Sequence, residues 1–181
     1  MVIFFGPAGA GKSVQGQILA ARHGWRWLST GQLLRDTHNA KLLKKMATGE
    51  LIGNEVANAV VHHALERSKD IEHLILDGYP RDLSQAKWLE HTLPKHERSI
   101  KLIVVLEVPE SEIVRRLHIR GRVDDTPAAI KERLHIFRDE IYPILDYCNQ
   151  QKIRIAHIDG TGTVGQVHDR IEAELEACSL V

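Results

Sequence analysis

Short apolar runs alternate along the chain with longer stretches of helical periodicity. Five runs read as strands: VIFF at 2–5, WRWLS at 25–29, HLILD at 73–77, KLIVVLEV at 101–108 and IRIAHI at 153–158. Within them LIL and LIVVL are continuous rather than alternating, the pattern of strands covered on both faces of a parallel sheet. Residues 12–23 carry apolar positions at Val14, Ile18 and Leu19 and stop at Gly24. A later helix is predicted to start with Thr126 as N-cap and Pro127 at its first position, with Ile130, Leu134, Phe137 and Ile141 on one stripe. Pro143 is expected to kink or break it. Strands alternating with helices predict a doubly wound α/β fold. The connection from Ser29 to Glu72 is too long for a simple crossover. It holds three helical patterns, TGQLLRDT, AKLLKKMA ending at Gly49, and NEVANAVVHHALER with Asn54 as cap, and reads as a helical insertion on the ligand-binding edge of the sheet.

Composition narrows the class. The 181 residues, 43% hydrophobic and 27% charged, suit one domain spanning 1–181 with a sizeable core. Lys and Arg number 24, and so do Asp and Glu, so the net charge gives no support to a nucleic-acid or membrane-surface protein. Anion binding must come from local clustering. Cys148 and Cys178 form no CxxC pair, which points to a reducing compartment and away from a zinc site. The first ten residues lack a signal-peptide pattern and no stretch approaches a membrane span, so the expectation is a cytoplasmic protein. The eleven histidines show no HExxH, and His62 and His63, being adjacent, lie on different helix faces. Surface or structural roles are expected for them, and packing roles for Trp25, Trp27 and Trp88.

The stretch FFGPAGAGKS at 4–13 concentrates glycine where a backbone must approach something closely. Gly6, Gly11, Lys12 and Ser13 fit G-x-x-x-x-G-K-[ST], the phosphate-binding P-loop, between a predicted strand and a predicted helix. Glycines let successive N–H groups converge on phosphate oxygens, the helix adds its positive end, Lys12 reaches the outer phosphates and Ser13 can ligate magnesium. Asp77 ends an apolar strand, where a carboxylate can hold magnesium waters near this loop. Arg35 and Arg81 follow an STG helix start and a DGYP turn, and guanidinium forks match phosphate geometry. The amide of Gln85 can pair with an adenine edge. Arg116 and Arg120 share a helix face and Arg122 follows Gly121 in a turn. With Arg133 they form a second basic cluster, whose members repel unless an anion lies between them.

The P-loop, LSTGQLLRD (28–36), MATGELIGNEV (46–56), LILDGYPRDLSQA (74–86), RRLHIRGRVDDTPAAIKERL (115–134) and the closing IDGTGTVGQV (158–167) occur in that order. Together they resemble the adenylate kinase family of nucleoside monophosphate kinases over essentially the whole chain. The resemblance implies a P-loop NTPase fold: a five-stranded parallel sheet flanked by helices, with a core of 1–29, 72–116 and 127–181, a monophosphate-binding insertion at 30–60 and a very short lid at 117–126. It implies Mg·ATP bound by Gly9, Ala10, Gly11, Lys12, Ser13, Val14, Arg116, Arg120 and Gly162, with Ser13 and Asp77 at the metal. It implies AMP bound by Thr30, Gly31, Arg35, Glu50, Leu51, Ile52, Gly78, Arg81, Gln85, Arg122 and Arg133. Lys12, Asp77, Arg81, Arg122 and Arg133 are the implied catalytic set, Asp124 and Asp125 are expected to orient or pair the arginines, and a monomer is expected.

Three departures from the family pattern stand out. The usual G-x-P-G-x-G-K-G-T reads GPAGAGKSV here, with Ser13 for Gly and Val14 for Thr. Gln32 stands where STGD or STGE is usual, and Gly53 replaces a proline. Two other readings remain open on the sequence: a kinase of UMP, CMP or another monophosphate, and an adenine-nucleotide sensor without turnover.

Overall fold

The computed structural model describes the chain except Gly49, Leu51, Val123 and Asp124. All five expected strands form: β1 (Val2–Phe5), β2 (Arg26–Ser29), β3 (Leu74–Asp77), β4 (Leu102–Glu107) and β5 (Ile155–Asp159). They make one sheet in the order β2-β3-β1-β4-β5, with every pairing parallel. β1 and β3 are buried at all their residues. Their continuous apolar runs follow from this, because both faces are covered. The two-residue period divides β1 between two cores. Ile3 and Phe5 pack on one side with Val61, Leu65, Leu89 and Ile144, while Val2 and Phe4 pack on the other with Leu19, Ile113, Leu117 and Ile171. Each such side chain contributes about 1.5–3 kcal/mol when buried.

The helices are α1 (Lys12–His23), α2 (Thr30–Asp36), α3 (Ala40–Thr48), α4 (Asn54–Glu66), α5 (Leu83–Thr92), α6 (Glu110–Arg120), α7 (Pro127–Gln150) and α8 (Val164–Ala177), with a 3-10 helix at Leu93–His96 after α5. α1 ends at Gly24, whose φ of 68° is the left-handed cap expected there. Gly16, inside α1, lets the indole of Trp27 lie against the helix: a Cβ at this position would sit 2.5 Å from its Cδ1. Trp25 stacks on His73 and Trp88 meets Tyr79 edge-on, the packing roles expected of them.

Two local expectations need correction. Gly53, not Asn54, is the N-cap of α4; the Asn54 side chain points instead to α5, donating to Ser84 and accepting from Gln85. Pro143 does not break α7, which runs through it to Gln150. Pro143 and Asp139, four residues earlier, are both solvent-exposed, so the carbonyl that loses its helical donor is met by water.

α4 ends at Glu66, one residue short of the end of the NEVANAVVHHALER pattern. α6 continues to Arg120 and closes on Gly121, so the connection to α7 is confined to residues 121–126. No helix among the described residues is long and apolar enough to cross a membrane.

Candidate functional site

The carboxyl ends of β1 and β3 lie side by side in the middle of the sheet, with Phe4 and Asp77 in register. From this region the chain departs to β2 on one side and to β4 on the other, the arrangement that opens a crevice in doubly wound sheets. A cavity of about 600 Å³ fills the crevice, within the range of small-molecule sites. Its floor is the loop after β1. Gly9 holds a φ of 88° and Gly11 one of 102°; at Gly9 a Cβ would also press on Leu117 at 3.0 Å, whereas at Gly11 there is open space. The glycine at 11 is therefore required by backbone conformation.

Lys12 folds back over this loop, its ammonium donating to the carbonyls of Gly6 (2.6 Å) and Pro7 (2.9 Å). Enclosure in the cleft pushes its pKa below the usual lysine range; Asp77 opposes this, and Arg81 and Arg120 add to it. Ser13 donates to Asp77 Oδ2 at 2.7 Å, joining the start of α1 to the end of β3. Val14 is half exposed at the cavity wall.

Arg35 and Arg81 enter from the insertion and from the turn after β3. Gln32 accepts from Arg35 at 3.3 Å and donates to Asp36 at 2.7 Å, so the amide at this position steers the arginine. Arg81 is pinned by Nε to the Gly78 carbonyl at 2.9 Å. Burial lowers its pKa, Asp77 raises it, and Arg133 and Arg35 lower it again, which places three guanidiniums within electrostatic reach of one another. Gly31, Glu50, Ile52 and Gly78 line the same cavity. Thr30 is 2% exposed, its hydroxyl oxygen has no partner, and it is not among the residues that line the cavity. Leu51 lies outside the described residues.

The second basic cluster closes the opposite wall. Arg116 binds Glu112 at 2.7 Å and reaches the carbonyls of Gly160 (3.0 Å) and Ala10 (3.4 Å), fixing the closing loop against the P-loop. Arg120 grips Asp125 with both ends of its fork. Arg133 donates to the same carboxylate at 3.2 Å and to the Met46 carbonyl on α3 at 2.8 Å. Burial alone would raise the pKa of Asp125, but the Arg120 hydrogen bond and the two nearby positive charges hold it below the usual carboxylate range. Arg122 lines the cavity, and its guanidinium makes no hydrogen bond or ion pair among the described residues. Gly162 lines the cavity too, with a φ of 96°, and a Cβ there would displace the Gln166 side-chain oxygen at 2.6 Å. Like charges are thus interleaved with Glu112 and Asp125, and the expected role of Asp125 in pairing arginines is met; Asp124 lies outside the described residues.

Gln85 stands apart. It is 2% exposed and is not among the cavity's lining residues. Its Oε1 accepts from the Arg81 backbone N–H and its Nε2 donates to Asn54 Oδ1, both at 2.8 Å. The sequence reading also missed Glu112, whose carboxyl is pulled down to about 2 by hydrogen bonds from Arg115 and Arg116. Its spacings of three and four residues from those arginines were the available signal. It also missed the Met46 carbonyl, for which a sequence offers none.

The family model described as adenylate kinase matches residues 4–153. An adenylate kinase of Synechococcus sp. is 36% identical over 180 residues, covering 96% of this chain and 97% of the relative. One from Prochlorococcus marinus is likewise 36% identical with the same coverage. One from Mycolicibacterium vanbaalenii is 37% identical over 175 residues, covering 93% of this chain and 95% of the relative.

Proposed function

The chain belongs to the adenylate kinase family, and on that premise we propose that it moves the γ-phosphoryl group of ATP to AMP, reversibly, giving two ADP. The observation that carries this is that both basic clusters line one cavity together with the glycine loop. A transferring phosphoryl group has little covalent chemistry for a protein to perform, so catalysis rests on positioning and charge neutralisation. ATP lies along Gly9 to Val14, with Arg116, Arg120 and Gly162 at its outer side. AMP lies on the side of Gly31, Arg35, Glu50, Ile52 and Gly78, beside Thr30. Lys12, Arg81, Arg122 and Arg133 converge on the phosphoryl group in transit. An ionised phosphate oxygen of AMP is the nucleophile and needs no general base.

The oxygens of Ser13 and Asp77, 2.7 Å apart, are the hard donors that Mg²⁺ takes alongside nucleotide phosphates. Ser13 and Asp77 would hold the ion, which when bound supplies further neutralisation of phosphate charge. The hydroxyl at 13 thereby takes the place of the one absent at Val14. The working unit is read as a monomer, and two free cysteines fit a reducing cytoplasm.

Selectivity for AMP rests on Gln85. To read an adenine its amide must exchange the Asn54 contact for the base. The test is calorimetric titration with two adenosines joined through five phosphates. One molecule per chain, with at least tenfold weaker binding in both Arg81→Ala and Arg120→Ala, is expected. Binding unaffected by either substitution would overturn the two-cluster reading.

A further inference from the structure

We propose that the outer face of α4 and the 3-10 helix behind α5 form a binding site for a borderline divalent cation of the Zn²⁺ type, held by His62, Glu66 and His96. His62 and Glu66 are four residues apart on α4, hence on one face. His96 comes from the 3-10 helix, 34 residues further on. One potential ligand atom from each lies within 4.8 Å of the others. His62 Nδ1 and His96 Nε2 are 3.3 Å apart, about the edge of a tetrahedron built on metal–nitrogen bonds of about 2.0–2.1 Å. The other nitrogen of His96 faces Glu66 Oε1 at 3.2 Å.

Two imidazoles and one carboxylate suit Zn²⁺, Ni²⁺ or Co²⁺ and not Mg²⁺, which requires oxygen ligands. Three protein ligands leave a fourth position for water. The arrangement has a built half and an adaptable half. The His96 side chain is 8% exposed while that of Glu66 is 58% exposed, so the carboxylate can move the short distance needed while one imidazole stays fixed. In the absence of a cation one ring donates its N–H to the lone pair of the other; for both facing nitrogens to ligate a cation, that proton moves to the donor ring's remaining nitrogen or is released to solvent, and the cation takes both lone pairs. None of the three residues lines the nucleotide cavity, and the site is independent of the phosphate chemistry there. A bound ion would staple α4, which contacts Gln85 through Asn54, to the helix pair behind it.

The test titrates Zn²⁺ into chelator-treated protein without nucleotide or magnesium, by calorimetry and by thermal unfolding. One saturable site per chain and a raised melting temperature are expected. His62→Gln and Glu66→Gln, both at exposed positions, should weaken binding at least tenfold, and His96→Asn should abolish it. His63→Gln, whose ring lies on the neighbouring face, should leave binding unchanged. Absence of a saturable site, or tight binding that survives His62→Gln, would overturn the proposal, as would equal loss in His63→Gln.

Discussion

Replacing Lys12 with methionine separates binding chemistry from folding. The side chain keeps its length and loses its charge. The structure gives opposing contributions to stability: the ammonium's hydrogen bonds to the Gly6 and Pro7 carbonyls are lost, while its burial and its repulsion with Arg81 and Arg120 are relieved. Hydrogen bonds from a charged donor are worth about 1.5–3 kcal/mol each, and the attraction to Asp77 is lost with them while the cost of burial is relieved, so the two sets of changes oppose one another and the urea curve reads their sum. Transfer is affected differently. With nucleotide bound, the ammonium must leave those carbonyls for phosphate oxygens whose charge grows in the transition state. Removing one such donor from a preorganised site costs about 2.7–4 kcal/mol, or roughly 10²–10³ in kcat. The assay is ADP formation under saturating ATP and AMP, set beside a urea unfolding curve on the same sample. A fall in kcat under tenfold with the fold intact would refute the placement of Lys12 on the transferring group.

Ser13→Ala should raise the Mg²⁺ concentration needed for half-maximal rate by about tenfold or more (~1.4 kcal/mol), measured by magnesium titration of the rate; an unchanged requirement would remove Ser13 from the metal site. Gly16→Ala should destabilise the fold by about 1–2 kcal/mol, since the Cβ clash with Trp27 outweighs a helix-propensity gain of about 1 kcal/mol. Combining it with Trp27→Leu should recover part of the loss in urea unfolding. Burial, with the Glu90 charge as second cause, pushes the Cys148 thiol from 9.0 to about 11. The folded chain then retains a proton that the unfolded chain gives up, so stability should fall as pH rises from about 9 towards 11. In the same samples Cys148 should react with iodoacetamide far more slowly than Cys178.

The sheet was legible because buried parallel strands need continuous apolar runs, and those of β3 and β4 cannot be read as anything amphipathic. The P-loop was legible because its glycines and lysine serve a backbone conformation that local sequence specifies. What the sequence could not show depends on neighbours distant along the chain. Whether Asn54 capped a helix or reached across to Gln85 was decided by the packing of α4 on α5. Whether Pro143 broke α7 was decided by which side of that helix faced water. His62 and His96 meet only because α4 and the 3-10 helix lie side by side, so no spacing rule along one helix could pair them. The arginines were found as a set, yet the carboxylates that hold them apart were found only in part. Asp125 followed from adjacency, whereas Glu112 needed the helix register.

The central claim, phosphoryl transfer from ATP to AMP, is tested most directly by chromatographic detection of ADP from ATP and magnesium with each of AMP, UMP, CMP, GMP and dTMP in turn. Rapid ADP formation with AMP alone is expected. Faster turnover with another monophosphate would contradict the assignment of Gln85 to adenine recognition while leaving the transfer mechanism in place. Tight nucleotide binding without turnover on any acceptor would contradict the mechanism itself and leave a sensor of adenine nucleotides.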